Sequence, residues 1–216
     1  MFEVNKKDFY FFKNQINPDE DTIYKLKKFV SMLRKHQKNL NLIGKSTIPA
    51  IWTRHILDSA QIEKILPKEN DNYITVDVGT GAGFPGMVLA AMGRKDLLLC
   101  EKSKKKNIFL NAVAKECNLK VKMYNDRIEN LRASNIRTII SRAFSPLKSF
   151  ILKVRHCLCY DTTLVLHKGR THMKEIIEAK SLFYFNYKCY ESVTNSDAKI
   201  LKIDNIKRKW IKLRLY

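Results

Sequence analysis

The chain has 216 residues, 45% of them hydrophobic, with 41 Lys and Arg against 21 Asp and Glu and a formal charge of +20. That length suits one α/β domain with a full core and a small extension, and the charge makes a polyanion such as nucleic acid the first candidate partner. No apolar run approaches the roughly 18 residues of a membrane span, Met1–Asp8 lacks the apolar stretch of a secretion signal, and the 5 cysteines fit neither a zinc nor a redox spacing (Cys157 and Cys159 form the only close pair), so a reduced, cytoplasmic, metal-free protein is expected. The excess of lysine over arginine, with plentiful Ile and Asn, is also what an AT-rich genome yields without selection for binding.

In chain order, Asn17-Pro18-Asp19-Glu20-Asp21 reads as a helix start, with Asn17 as cap, Pro18 in the first position and acids where the helix dipole favours them. Ile23, Leu26, Phe29, Val30 and Leu33 follow at helical spacing to about Gln37. After a break at 38–44, Pro49 opens a second helix that carries Trp52, His55, Ile56 and Ile62 and closes at Pro67. Residues 1–72 are therefore expected to form a helical N-terminal region packed on a domain that begins at Tyr73. Arg54 and Asp58, four apart, are placed to pair across one turn, and His55 reads as a packing histidine on an apolar face.

From Tyr73 strand and helix patterns alternate, which predicts a mainly parallel sheet. Ile74–Val78 is a β-branched strand containing Asp77, and it opens into Gly79, Gly81 and Gly83. Glycines at alternate positions after a strand admit positive φ and close ligand approach, the pattern of a cofactor loop, and Pro85 then starts a helix whose amide end favours an anion. Leu97–Cys100 is the next strand and ends in Glu101, about 20 residues past the loop, where a ribose-binding acid belongs. An ordinary strand-end carboxylate facing Lys102 is the plain alternative. A basic helix over 104–117 should bury Ile108, Phe109, Ala112 and Val113. Strands at 120–124, 138–141 and 162–167, helices at 146–157 and 170–180, and an antiparallel pair from Tyr184 and Lys199 complete 73–208; residues 209–216 prolong the last strand or form a tail. Beyond the carboxyl ends of such strands, Gly79–Gly86, Glu101, Asp126–Glu129 and Ser141–Phe144 should surround one crevice, with Lys168 on the same edge.

A dinucleotide fingerprint wants glycine at position 84, where this chain has Phe84; the loop instead resembles the S-adenosylmethionine (SAM) loop of class I methyltransferases. Further motifs stand in order: Asn41-Leu42, Arg54-His55-Ile56-Leu57-Asp58-Ser59, Asp77-Val-Gly-Thr-Gly-Ala-Gly-Phe-Pro-Gly86, Phe109-Leu110, Arg127-Ile128-Glu129, Ser141-Arg142-Ala143-Phe144 and Lys168-Gly169. Together they resemble the RsmG (GidB) family of bacterial SAM-dependent methyltransferases, which modify N7 of a guanine in the 530 loop of 16S rRNA. The resemblance implies a Rossmann-like class I fold with seven strands, and SAM contacts from Gly79, Phe84, Ile128, Glu129 and Arg142. Asp77 and Glu129 would offset the cofactor's positive charge, with Gly81 and Glu101 beside them. The partner would be 16S rRNA or the small ribosomal subunit, met by a monomer. Family members usually carry a tryptophan about where His36 sits, and the sequence after Glu101 departs from their usual pattern.

Guanine N7 offers an in-plane lone pair and no proton, so no general base is required and none is assigned. The chain has no Pro-Pro of the kind found in amine methyltransferases, and Cys100 reads as core rather than as an attacking thiol. Because N7 methylation leaves a cationic base, Lys104, Lys105, Lys106, Lys168 and Arg170 are expected on RNA phosphates, with Arg142 on a phosphate or a carboxylate. Phe144 is either a stacking platform or a loop residue covering the sheet edge. The competing readings are a SAM enzyme with a small-molecule or protein substrate, and a non-catalytic Rossmann-like RNA-binding module.

Overall fold

The computed structural model describes residues 5–209 and shows a seven-stranded sheet with helices on both faces. Strand β1 (Ile74–Val78) lies between β2 (Leu97–Cys100) and β4 (Ile136–Arg142). β3 (Lys122–Tyr124) borders β2, and β5 (Thr163–Lys168) borders β4. These five run parallel, while β7 (Lys199–Arg208) enters antiparallel between β5 and β6 (Phe183–Glu191). This is the mainly parallel sheet with a terminal antiparallel pair that the sequence implies. The residues from 210 onward, where a strand extension or tail was expected, lie outside the described residues.

Alternation along the strands feeds two cores. Leu97 and Leu99 of β2 point to one side, where they meet α4 (Gly86–Ala91), α5 (Lys104–Glu116) and the N-terminal helices. Val76, Val78 and Cys100 point to the other side, under α6 (Leu147–Val154) and α7 (His172–Lys180). The N-terminal region consists of α1 (Lys6–Ile16), α2 (Glu20–Leu40) and a helical stretch over 45–65 that includes a π-helical turn, Trp52–Leu57, running into the short α3 (Asp58–Ala60).

Three expectations need correcting here. Asn17 does not cap α2; it ends α1 in the left-handed region (φ 49°), and Asp19 caps α2 by accepting the Thr22 N–H at 2.7 Å. Two helices thus meet across three residues, because α1 exists where the sequence reading placed nothing. Its signals were present: Asn5 as cap, and Phe9, Phe12 and Ile16 at helical spacing. On α5, Ile108 and Ala112 face solvent, whereas Asn107 and Leu110 are buried beside Phe109 and Val113. Asn107 Nδ2 donates to the Glu101 carbonyl at 2.6 Å, and that buried bond sets the helix rotation against the apolar pattern. Arg54 and Asp58 do not pair; Asp58 binds Arg142 instead, at 3.1 Å.

Candidate functional site

A cavity of about 250 Å³ opens at the carboxyl ends of β1 and β2. Val78, Gly79 and Gly81 form its floor, Glu101 one wall, residues 126–129 a second wall, and Phe144 with Lys153 the far side. Gly79 has φ +68° and donates its N–H to the Cys100 carbonyl at 2.9 Å, so the loop turns sharply back onto β2. A side chain at Gly79 would place Cβ 2.3 Å from the Phe144 ring. Further along, a Cβ at Gly86 would stand 2.7 Å from Asp77 Oδ2, which accepts the Gly86 N–H at 2.8 Å. The amide end of α4, expected to face a ligand anion, is therefore occupied by the chain's own carboxylate.

Glu101 is fixed from all sides. Its Oε2 accepts the Gly81 N–H at 3.1 Å and its Oε1 the Ser103 N–H at 2.8 Å, while its own N–H donates to the Tyr124 carbonyl. Each carboxylate oxygen keeps acceptor capacity for a further donor, since an ionised carboxylate offers about four lone-pair sites. Cys100, next to it, stays a thiol: burial first, then the Asp77 and Glu101 carboxylates, push its pKa up to about 12, and its Sγ donates to the Asp126 carbonyl at 3.3 Å. It has no thiolate to attack with.

Of the residues singled out in the sequence, Gly79, Gly81, Glu101, Ile128, Glu129, Lys106 and Phe144 meet around this cavity. Others are elsewhere. Asp77 is fully buried beneath the loop; burial raises its carboxyl to about 6 against the lowering pull of Thr80 and Gly86. Phe84 is core, with Phe29 and His55 at ring distances of 5.3 and 5.0 Å. Lys104 and Lys105 project into solvent at the start of α5. Lys168 is not presented to a partner, because its Nζ is held at 2.8 Å by both Glu175 Oε2 and the Ser145 carbonyl. Arg170 is exposed and pairs with Asp197 at 3.1 Å.

Arg142 leaves the cavity and becomes the centre of a polar network that sequence reasoning missed. One nitrogen donates to the Arg54 carbonyl (3.0 Å) and Asp58 Oδ2 (3.1 Å), the other to His55 Nδ1 (2.7 Å), and the guanidinium lies 5.1 Å over the Phe84 ring. Burial, then the Arg142 charge, drives the His55 pKa down to about 3, so the ring is neutral. With Nδ1 accepting from Arg142, Nε2 carries the proton and donates to Thr47 Oγ1, 2.7 Å away. Asp58 Oδ1 accepts from Thr194 Oγ1 at 2.7 Å and Gln61 Nε2 at 2.9 Å, and the His167 ring binds the Asp58 carbonyl. Despite burial, His167 and Arg142 keep the Asp58 carboxyl below its ordinary range. The Arg-His and Asp-Ser positions of the 54–59 motif were the visible half of this network. Thr194 and His167 carried no signal.

The family model for rRNA small subunit methyltransferase G matches residues 22–204. The chain belongs to this family. It is accordingly an rRNA methyltransferase. Relatives bearing the name ribosomal RNA small subunit methyltransferase G include one from Rickettsia felis, 35% identical over 86% of this chain and 95% of the relative. Another, from Orientia tsutsugamushi, is 36% identical over 87% and 92%. Among solved structures, a ribosomal protein L11 methylase from Lactobacillus delbrueckii subsp. bulgaricus superposes with a TM-score of 0.54 at 17% identity, covering 71% of this chain and 77% of that one. M. jannaschii TYW2 in complex with AdoMet gives 0.52 at 15% identity, with the same two coverages of 71% and 77%. At such identities these structures show the fold. Among the described residues no helix is long and apolar enough to cross a membrane.

Proposed function

We propose that this rRNA methyltransferase takes its methyl group from SAM and delivers it to N7 of a guanine in the 530 loop of 16S rRNA, acting as a cytoplasmic monomer on rRNA or the small subunit. In this reading 73–208 is the catalytic domain and 1–72 a helical region that walls its acceptor side. The observation that carries the donor assignment is the rigid Glu101 carboxylate facing a cavity floored by Gly79 and Gly81. When bound, SAM supplies an electrophilic methyl group on a sulfonium centre.

The donor set fits that group. Glu101 would accept from paired ribose hydroxyls without moving, since both oxygens are already oriented by backbone N–H groups. Ile128 offers an apolar wall for a flat base, and Glu129, exposed at the rim, lies where a ligand ammonium would be neutralised. Asp77 braces the loop from below rather than meeting the ligand. No acid–base pair is needed for a nucleophile that carries no proton, so the task of the site is to align donor and acceptor. The protonated Cys100 disfavours pyrimidine chemistry through a covalent adduct.

The deciding measurement is nucleoside mass spectrometry of 16S rRNA with and without the gene: 7-methylguanosine should be lost at one position on deletion. An unchanged level rejects the acceptor assignment. Titration calorimetry with S-adenosylhomocysteine tests the donor site separately, and absence of binding rejects it.

A further inference from the structure

A second cavity, of about 230 Å³, lies on the same carboxyl edge of the sheet, on the other side of the β4–α6 turn. Arg54, His55 and Asp58 come from the N-terminal region, Arg142 and Ala143 from the end of β4, and Asn195 and Ala198 from the β6–β7 turn. Ala143 lines this cavity and Phe144, its neighbour, lines the first, so these two residues are the partition between them. Ala143 sits at φ +52°, a conformation that costs a non-glycine residue energy.

We propose that this second cavity receives the target purine nucleotide of the RNA, with Arg54 on a phosphate at its mouth and Asn195 on the base edge. The proposal rests on the methyl-transfer reading above and adds the acceptor's location to it. Three observations carry it. First, His55 and Arg142 make a rigid wall: both pack on the Phe84 ring, at 5.0 and 5.1 Å, and they are hydrogen-bonded to each other, with Arg142 also held by Asp58. Second, charge near the base is already cancelled: Arg142 is paired with Asp58, and His55 is neutral. A cationic methylated product is therefore not opposed by an unpaired charge on those walls. Third, the remaining donors point to a ligand. The hydroxyls of Thr47 and Thr194 are spent on Gly44 and Asp58, whereas the Arg54 guanidinium and the Asn195 amide nitrogen make no hydrogen bond or ion pair among the described residues. Phosphate oxygens and guanine O6 are acceptors suited to them.

The test uses the full chain, small ribosomal subunits from cells lacking the gene, and labelled SAM. Wild-type protein is first shown to bind S-adenosylhomocysteine and to label one guanine; failure here overturns the parent reading and the pocket with it. Ala198→Trp, which fills the second cavity, should keep cofactor affinity and melting temperature but lower kcat/KM by about 100-fold, the scale of a misplaced reactant. Arg54→Ala should raise KM about tenfold at unchanged cofactor affinity and make the salt dependence of RNA binding shallower by about 0.7 in log–log slope, as expected for one lost phosphate contact on a single strand. Arg54→Lys should recover most of both. Wild-type kcat/KM in a folded Ala198→Trp protein overturns the proposal. Should that variant not fold, an Arg54→Ala protein with unaltered KM and salt slope overturns it equally.

Discussion

The two cavities flanking the β4 turn are built by opposite means. The first cavity has a floor made from backbone, left-handed glycines and N–H groups that hold one carboxylate, all within residues 77–103, and side chains from 126–129, Phe144 and Lys153 close it. The second cavity is made from side chains that converge from residues 47, 54–58, 142 and 194–198. A backbone site tolerates side-chain drift but not a change in chain direction. A side-chain network fails when a single charge is removed. That contrast predicts different responses to substitution.

Gly79→Val should have the largest effect. It forces a branched residue to φ +68° and drives its Cβ into the Phe144 ring, so S-adenosylhomocysteine binding should be undetectable by calorimetry. Retained affinity would mean that the loop does not hold the cofactor. Next comes Arg142→Ala, which leaves the half-buried Asp58 without its cation and His55 without its donor. Urea unfolding should show a loss of about 2 kcal/mol, the scale of hydrogen bonds to a charged group, since Asp58 keeps Thr194 and Gln61. If the network is incidental, the midpoint will stay where it was.

Glu101→Gln sharpens the comparison from the donor side. The amide keeps the shape but accepts through one oxygen only, so one of the two backbone N–H groups loses its partner; affinity for S-adenosylhomocysteine should fall by about tenfold, or about 1.4 kcal/mol, and the melting temperature should drop as well. Equal affinity would remove Glu101 from the ribose. The last effect concerns pH. The folded-state pKa of His55 is lowered to about 3, so the unfolded chain takes up a proton first as pH drops below the ordinary value of 6.5. Stability contributed by neutral His55 is thus complete above pH 6.5 and is lost as pH falls towards 3. Relative to a His55→Asn protein, the wild-type advantage in unfolding free energy should shrink from pH 7.5 to pH 5 by about 2 kcal/mol, the linkage set by these two pKa values. A pH-independent gap would show that His55 does not titrate between the two states.

The same contrast explains what could be read from the sequence. The sheet, the glycine loop and Glu101 were legible because each is local: β-branched alternation, positive-φ residues and a strand-end acid fall within short windows. Phe84 and Arg142 have cofactor roles only through the family resemblance, and Lys168 an RNA-binding one through its place on the sheet edge; the structure packs Phe84 in the core and ties Arg142 and Lys168 to carboxylates. Their partners, Phe29, His55, Asp58 and Glu175, come from distant elements, so no window contained the competition for them. On α5 the apolar pattern pointed one way and the hydrogen bond from Asn107 to Glu101 turned the helix another, because an unsatisfied buried amide costs more than an exposed isoleucine. The helix α1 was overlooked although its spacing was plain; Asp8 within it binds the Trp52 and Thr53 N–H groups at 2.8 and 3.0 Å, a link no spacing rule reveals.

The clamp formed by Lys168 has a mechanical consequence for the segment that carries Phe144. Its ammonium grips the Ser145 carbonyl while Glu175, bound to the same lysine, holds the Leu147 N–H at 2.8 Å, so the chain is pinned one residue beyond the aromatic ring. Upstream, Arg142 is moored to β5 and to the N-terminal helices. Only Ala143 and Phe144 lie between these anchorages. Any displacement of the ring from Gly79 is therefore left to torsion about one side chain, and it would have to break the edge contact with Phe150 at 5.8 Å and leave the Lys153 ammonium that lies 4.9 Å over its face.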